Sequence, residues 1–145
     1  MSINLLMYKD ILNIIEKSST CSRLHVAAMI VKDGRIISMG WNGVASGQVH
    51  CSDKFSGKEE NYDVKHVKFS TENEIHAEQN AIAYAARSGI STYNADIFIS
   101  YSPCDMCAKL IVATGIKKVY YVTEYDRSVT GINFLKNNNI YYEKI

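Results

Sequence analysis

The fold turns on residues 95–107: Ala95-Asp96-Ile97-Phe98-Ile99-Ser100-Tyr101, followed at once by Ser102-Pro103-Cys104-Asp105-Met106-Cys107. The first run is short, apolar and rich in β-branched and aromatic residues, the signature of a buried strand. Pro103 cannot continue a strand inside a sheet, so the chain must change state there. It suits the first helical position, with Ser102 as N-cap, and a helix follows through Ala113 to a stop at Gly115. Cys104 and Cys107 are then three residues apart on the first turn. Unpaired N–H groups and the positive end of the helix dipole favour thiolates there.

Upstream, His76-Ala77-Glu78 opens a second helical run to Ser88, with Ala77, Ala81 and Ala85 spaced by four and Gly89 as its C-cap. Such a stripe of small residues permits close packing on a sheet. One imidazole and two thiols suit a Zn2+ ion with three protein ligands and an open fourth position, and Glu78 is placed to move protons without being a ligand. Taken alone, His76 and Glu78 read as a surface pair. Taken alone, Cys104 and Cys107 read as a redox pair or half of a structural zinc site. Together, in this order and with a proline before the first cysteine, they match the H-x-E…P-C-x-x-C pattern of zinc nucleobase deaminases.

The remaining chain supplies the partners of these two elements. Leu5, Leu6, Tyr8, Ile11, Leu12 and Ile15 recur at helical spacing, predicting an amphipathic helix that ends near Ser18. Lys32-Asp33-Gly34 between two apolar runs, Val26–Val31 and Arg35–Met39, is a hairpin signal. Gly40–Gly47 reads as a glycine-rich loop; Asn42 within it reads equally as a ligand contact or as a turn residue with a left-handed backbone. Ser52–Asn73 is polar, without period, and reads as an irregular excursion. Lys117–Thr123 and Ile140–Lys144 read as strands, with a short helix over Ile132–Lys136 between them. Strand–helix–strand alternation joined to a hairpin predicts an α/β fold: three α/β/α layers around a mixed five-stranded sheet, in one domain spanning residues 1–145.

Composition bounds the function. Hydrophobic residues at 47% and charged ones at 21% place the chain among ordinary soluble globular proteins. A net charge of +1 offers no footprint for nucleic acid, while leaving room for the one or two cations that a small anionic substrate needs. The N-terminal apolar run is broken by Asn4, Lys9, Asp10 and Asn13, so no membrane span is expected. Four cysteines without a signal peptide predict a reducing, cytoplasmic setting and metal ligation rather than disulfides.

The chain also resembles the deoxycytidylate (dCMP) deaminases of the cytidine deaminase-like zinc superfamily, in their bacteriophage form, along nearly its whole length. The likeness rests on Cys21-Ser22-Arg23, Lys32–Ser38, Gly40-Trp41-Asn42-Gly43, Asn73–Glu78, Pro103–Cys107 and Gly115-Ile116-Lys117-Lys118. It departs from the family where Val-Gly-Ala becomes Val26-Ala27-Ala28, and where Tyr-Asn-Gly-x-Pro becomes Trp41-Asn42-Gly43-Val44-Ala45.

The resemblance implies a fuller reading. Water would attack C4 of the cytosine ring, with Zn2+ on His76, Cys104 and Cys107 and with Glu78 carrying the protons. Asn42 would lie near the sugar hydroxyl, Tyr125 or Arg23 near the phosphate, and Ala77 against the substrate. The phage form implies a second zinc on Cys21, Cys51, His66 and Glu74, with His50 as the rival imidazole. It further implies a homo-oligomer, a hexamer, with Arg87 linking subunits to the active site. Its effectors would be dCTP and dTTP acting with Mg2+, in a host cytoplasm if the source is viral. Two other readings stand beside dCMP as substrate: a deaminase of cytidine, deoxycytidine or dCTP, and a zinc-binding module without turnover.

Overall fold

Residues 4–145 are described by the structure, a computed structural model. The chain enters through α1 (Leu5–Ile15), continued by a 3-10 turn over Glu16–Ser18. Asn4 caps the helix, its side chain accepting a hydrogen bond from the Met7 N–H at 3.0 Å. The hairpin β1 (Ala27–Lys32) and β2 (Arg35–Trp41) follows, then the short β3 (Gly43–Val44), α2 (Cys51–Lys54), α3 (Tyr62–Asn73) and β4 (Glu74–Ile75). The chain closes with α4 (Ala77–Arg87), β5 (Asp96–Tyr101), α5 (Asp105–Ala113), β6 (Lys118–Thr123), α6 (Val129–Asn137) and β7 (Tyr141–Lys144).

Among the described residues the main sheet has the order β2-β1-β5-β6-β7. β1 runs antiparallel to both β2 and β5, and β5, β6 and β7 are mutually parallel. The mixed five-stranded sheet is as expected. Asp33 and Gly34 both take positive φ, 52° and 74°, the mirror-image turn whose twist matches that of the paired strands. Alternate residues of β1 separate two cores. Ala27, Met29 and Val31 meet α1 on one face, with Phe98 stacked on Tyr120 beside them. Ala28 and Ile30 face the opposite way, toward α4, α5 and α6, so the molecule has three layers.

The alanine stripe of α4 has a specific partner in β2. A methyl group on Gly40 would lie 2.5 Å from the Ala81 nitrogen and 2.6 Å from the Ala77 oxygen, so the strand touches the helix backbone there. Ser38 reinforces the contact by donating its hydroxyl to the Ala81 carbonyl at 2.6 Å. This close approach fixes the start of α4, and with it His76 and Glu78, against the sheet.

Several expectations are corrected. Gly40–Gly47 is not wholly a loop: β2 runs to Trp41, and Gly43–Val44 pairs with Glu74–Ile75. The stretch from Ser52 to Asn73 is not irregular; most of it is helical, in α2 and α3. Its order comes from a separate cluster, in which Cys21, Cys51, Phe55 and Phe69 are buried together. Both helices of the site begin later than expected, α4 by one residue and α5 by two. His76 is the N-cap of α4, and Cys104, rather than Ser102, is the N-cap of α5, leaving Pro103 just outside the helix. The helix of the last crossover is longer than Ile132–Lys136, covering Val129–Asn137.

Candidate metal centre and active site

His76 Nδ1 lies 3.6 Å from Cys104 Sγ and 3.4 Å from Cys107 Sγ, and the three donor atoms lie within 4.8 Å of one another. Two N-caps and one first-turn residue therefore converge: β4 delivers His76 and β5 delivers Cys104. The Gln79 side chain accepts from the His76 backbone N–H at 2.9 Å, closing a capping box that fixes the histidine.

The protonation of the cluster is what a cation would relieve. A hydrogen bond from the Cys107 thiol, joined by His76, holds Cys104 down to about 4. That same bond, with burial, pushes Cys107 upward, and His76 is raised by its hydrogen bond to Cys104. Two thiols and one imidazole thus share protons within hydrogen-bond reach, a donor set that fits a zinc ion once both thiols are ionised. Glu78 is 5% exposed, in the first turn of α4 two residues after His76, and burial raises its pKa. It stands outside the compact donor group.

His76, Glu78 and Cys104 line the floor of a cleft of about 800 Å³, with Cys107 buried behind them. Ala77 is buried beside Glu78 in its wall, and Tyr101 and Tyr125 contribute aromatic rings, edge to face at 6.4 Å. Asn42 also lines the cleft, and its φ is not positive, which removes the left-handed turn reading. Its amide is a clamp: Oδ1 accepts from the Val26 N–H at 2.8 Å and Nδ2 donates to the Leu24 carbonyl at 2.8 Å. Arg23 lies in the wall with its guanidinium 3.4 Å from an Asp63 carboxylate oxygen. Arg127 is a second cation of the cleft that sequence reading missed, because the turn after β6 carries no local signal; no carboxylate lies within 4.0 Å of it among the described residues. Arg87 lies away from the cleft, at the last turn of α4, over the Tyr84 ring at 5.1 Å.

A second donor group adjoins the first. Cys21, Cys51 and His66 place their ligand atoms within 4.8 Å of one another, all buried, with Cys21 Sγ 3.3 Å from His66 Nε2. Glu74 is not in that compact group, but its Oε1 is buried without a hydrogen-bond partner among the described residues. Burial first, then Glu74 and Cys51, pushes the Cys21 thiol up to about 11. An orphaned carboxylate oxygen beside crowded thiols fits a divalent cation. His50 is directed elsewhere, its Nδ1 3.0 Å from the Thr20 hydroxyl.

Comparison with known proteins agrees with this geometry. Residues 1–123 match the model of the cytidine and deoxycytidylate deaminase zinc-binding region. The deoxycytidylate deaminase of Enterobacteria phage T2 is 35% identical, over 86% of this chain and 82% of its own length. A dCMP deaminase from the cyanophage S-TIM5, solved in complex with dCMP and dUMP, superposes with a TM-score of 0.81 at 33% identity, over 100% of this chain and 99% of that one. A tRNA:A34 deaminase at 19% identity and TM-score 0.60 shares the fold. The chain belongs to the cytidine and deoxycytidylate deaminase family of zinc-binding proteins.

Proposed function

We propose that this chain hydrolyses dCMP to dUMP and ammonia, supplying a precursor for thymidylate synthesis, as one deaminase domain. The observation that carries the reading is Glu78: a buried carboxylate outside the donor group, beside it at the floor of a nucleotide-sized cleft. A structural metal site has no use for such a group.

His76, Cys104 and Cys107 would hold Zn2+, which when bound supplies a water acidic enough to act as a nucleophile near neutral pH. Glu78 takes one proton of that water and delivers it to N3 of the cytosine. It then takes the proton of the new C4 hydroxyl and passes it to the amino group, which leaves as ammonia while the C4 carbonyl forms. Ala77 packs against the base. Asn42, whose Nδ2 and Oδ1 retain one further bonding position each, meets the sugar hydroxyl; Tyr125 or Arg23 meets the phosphate. Support for dCMP over the free nucleoside comes from the cations of the wall and from the named substrates of the relatives.

The second group, Cys21, Cys51 and His66 with Glu74, holds a structural zinc. The chain assembles as a homo-hexamer in the host cytoplasm of a phage, with dCTP and dTTP, acting with Mg2+, as effectors and Arg87 linking subunits to the site. No described helix is long and apolar enough to cross a membrane. Rates of ammonia release from deoxycytidine, dCMP and dCTP, measured side by side on the zinc-loaded protein, test the substrate. The highest kcat/KM is expected with dCMP; a clear preference for deoxycytidine or dCTP would overturn it.

A further inference from the structure

The wall that carries Tyr125 and Arg127 is tied to the peptide that carries Cys104 by a closed ring of hydrogen bonds. The Tyr125 N–H donates to Ser102 Oγ at 2.8 Å. Ser102 and Ser128 share a hydroxyl–hydroxyl bond at 2.6 Å, and Ser128 donates to the Tyr125 carbonyl at 2.5 Å. Since Ser128 spends its one proton on that carbonyl, Ser102 must be the donor between the two hydroxyls. Both donors and acceptors of the ring are then satisfied, and both serines are buried, at 2% and 1% exposure. Ser102 is itself held, its N–H donating to the Thr123 carbonyl at 2.9 Å, and Pro103-Cys104 follows directly. A few residues on, α6 presses on the same peptide. A methyl group at Gly131 would overlap the Pro103 carbonyl oxygen and lie 2.8 Å from the Cys104 carbonyl.

We infer that the Ser102–Ser128 hydroxyl pair is a positioning device that sets the Tyr125–Arg127 wall against the Cys104 ligand peptide and thereby fixes where the nucleotide is held. The inference rests on the functional reading above. Both hydroxyls are spent within the ring rather than offered to the cleft, so they act on the nucleotide through Tyr125 and Cys104. A hydrophobic pair of the same size would fill the space but leave the Tyr125 N–H unpaired, with the Tyr125 carbonyl held only by the Ser128 N–H at 2.8 Å. The device also gives Arg127 a fixed base in the lining of the cleft.

Ser128→Ala and Ser102→Ala test it, singly and together, in the zinc-loaded protein. Each single variant is expected to raise KM for dCMP about tenfold, the equivalent of one buried hydrogen bond, while kcat changes less than about threefold. The Kd for the product dUMP by calorimetry should weaken in the same proportion. The double variant should be no worse than the poorer single one, because the pair acts as a unit. A scaffold role alone would lower the amount of active enzyme, hence apparent kcat, and leave KM and the dUMP Kd unmoved. Unchanged KM, additive effects in the double variant, or loss of folded protein in both single variants would each overturn the inference. A wild-type protein that fails to act on dCMP overturns the functional reading instead.

Discussion

At the residue scale the site is decided by environment more than by identity. Glu78 is a common helix-start residue; burial beside three metal-type donors is what suits it to the proposed role of proton carrier. Glu78→Gln keeps shape and hydrogen bonding but cannot accept the proton. It is expected to retain metal at the wild-type ratio while turnover falls by about 10²–10⁴-fold, read by ammonia release against zinc analysis on the same sample. Near wild-type turnover would remove the role. His76, Glu78, Cys104 and Cys107 were legible in the sequence because their spacings are local, two or three residues on a helix start. Tyr101 and Arg127 were not, because they reach the cleft from a strand end and a turn that only the sheet brings together. Asn42 was half legible: the residue was singled out, but the clamp on Leu24 and Val26 depends on a neighbour 16–18 residues away.

At the element scale the largest error and the close packing share a cause: contacts outside the element. The stretch Ser52–Asn73 lacks apolar period, and its helix α3 buries only His66 and Phe69. Its order therefore depends on the Cys21–Cys51–His66 group and on Phe55, against which Phe69 packs at 5.5 Å. Metal analysis is expected to give about two zinc per chain in unchelated protein, falling to about one in Cys51→Ser or His66→Ala with turnover retained in part. Those variants should also become susceptible to proteolysis between α2 and α3. A wild-type ratio of about one would end the second site. Gly40 was read as loop punctuation, yet it is the point where β2 meets the α4 backbone. Gly40→Ala drives a methyl group into backbone atoms that cannot swing aside, and should cost about 3 kcal/mol or more in urea denaturation. A loss under about 1 kcal/mol would show that the strand can withdraw from the helix.

At the scale of the whole molecule, the mixed five-stranded sheet was legible, although not the order of its strands, because an Asp-Gly hairpin joined to a strand–helix–strand–helix–strand run leaves few topologies. The surface was not, since exposure is a property of the finished fold. β2 is an edge strand carrying Met39 and Trp41, 48% and 41% exposed, and Tyr84 on the adjoining α4 is 49% exposed. Large side chains left open beside an unpaired strand edge fit burial against another copy of the chain. For the homo-hexamer proposed above, sedimentation at micromolar concentration is expected to report a species near six times the 16.3 kDa chain. Met39→Lys with Tyr84→Lys should reduce its size without altering metal content, whereas a wild-type monomer would sink the assembly. Arg87 stands next to Tyr84 on the same helix whose other end carries His76 and Glu78, so a subunit contact there is joined to the site through three turns of α4. On that basis dCTP should lower the half-saturating dCMP concentration, dTTP with Mg2+ should raise it, and Arg87→Ala should flatten both responses while leaving the saturated rate within about threefold. Superimposable dCMP saturation curves with and without the two triphosphates would show that this assembly, if it forms, is not regulated through α4.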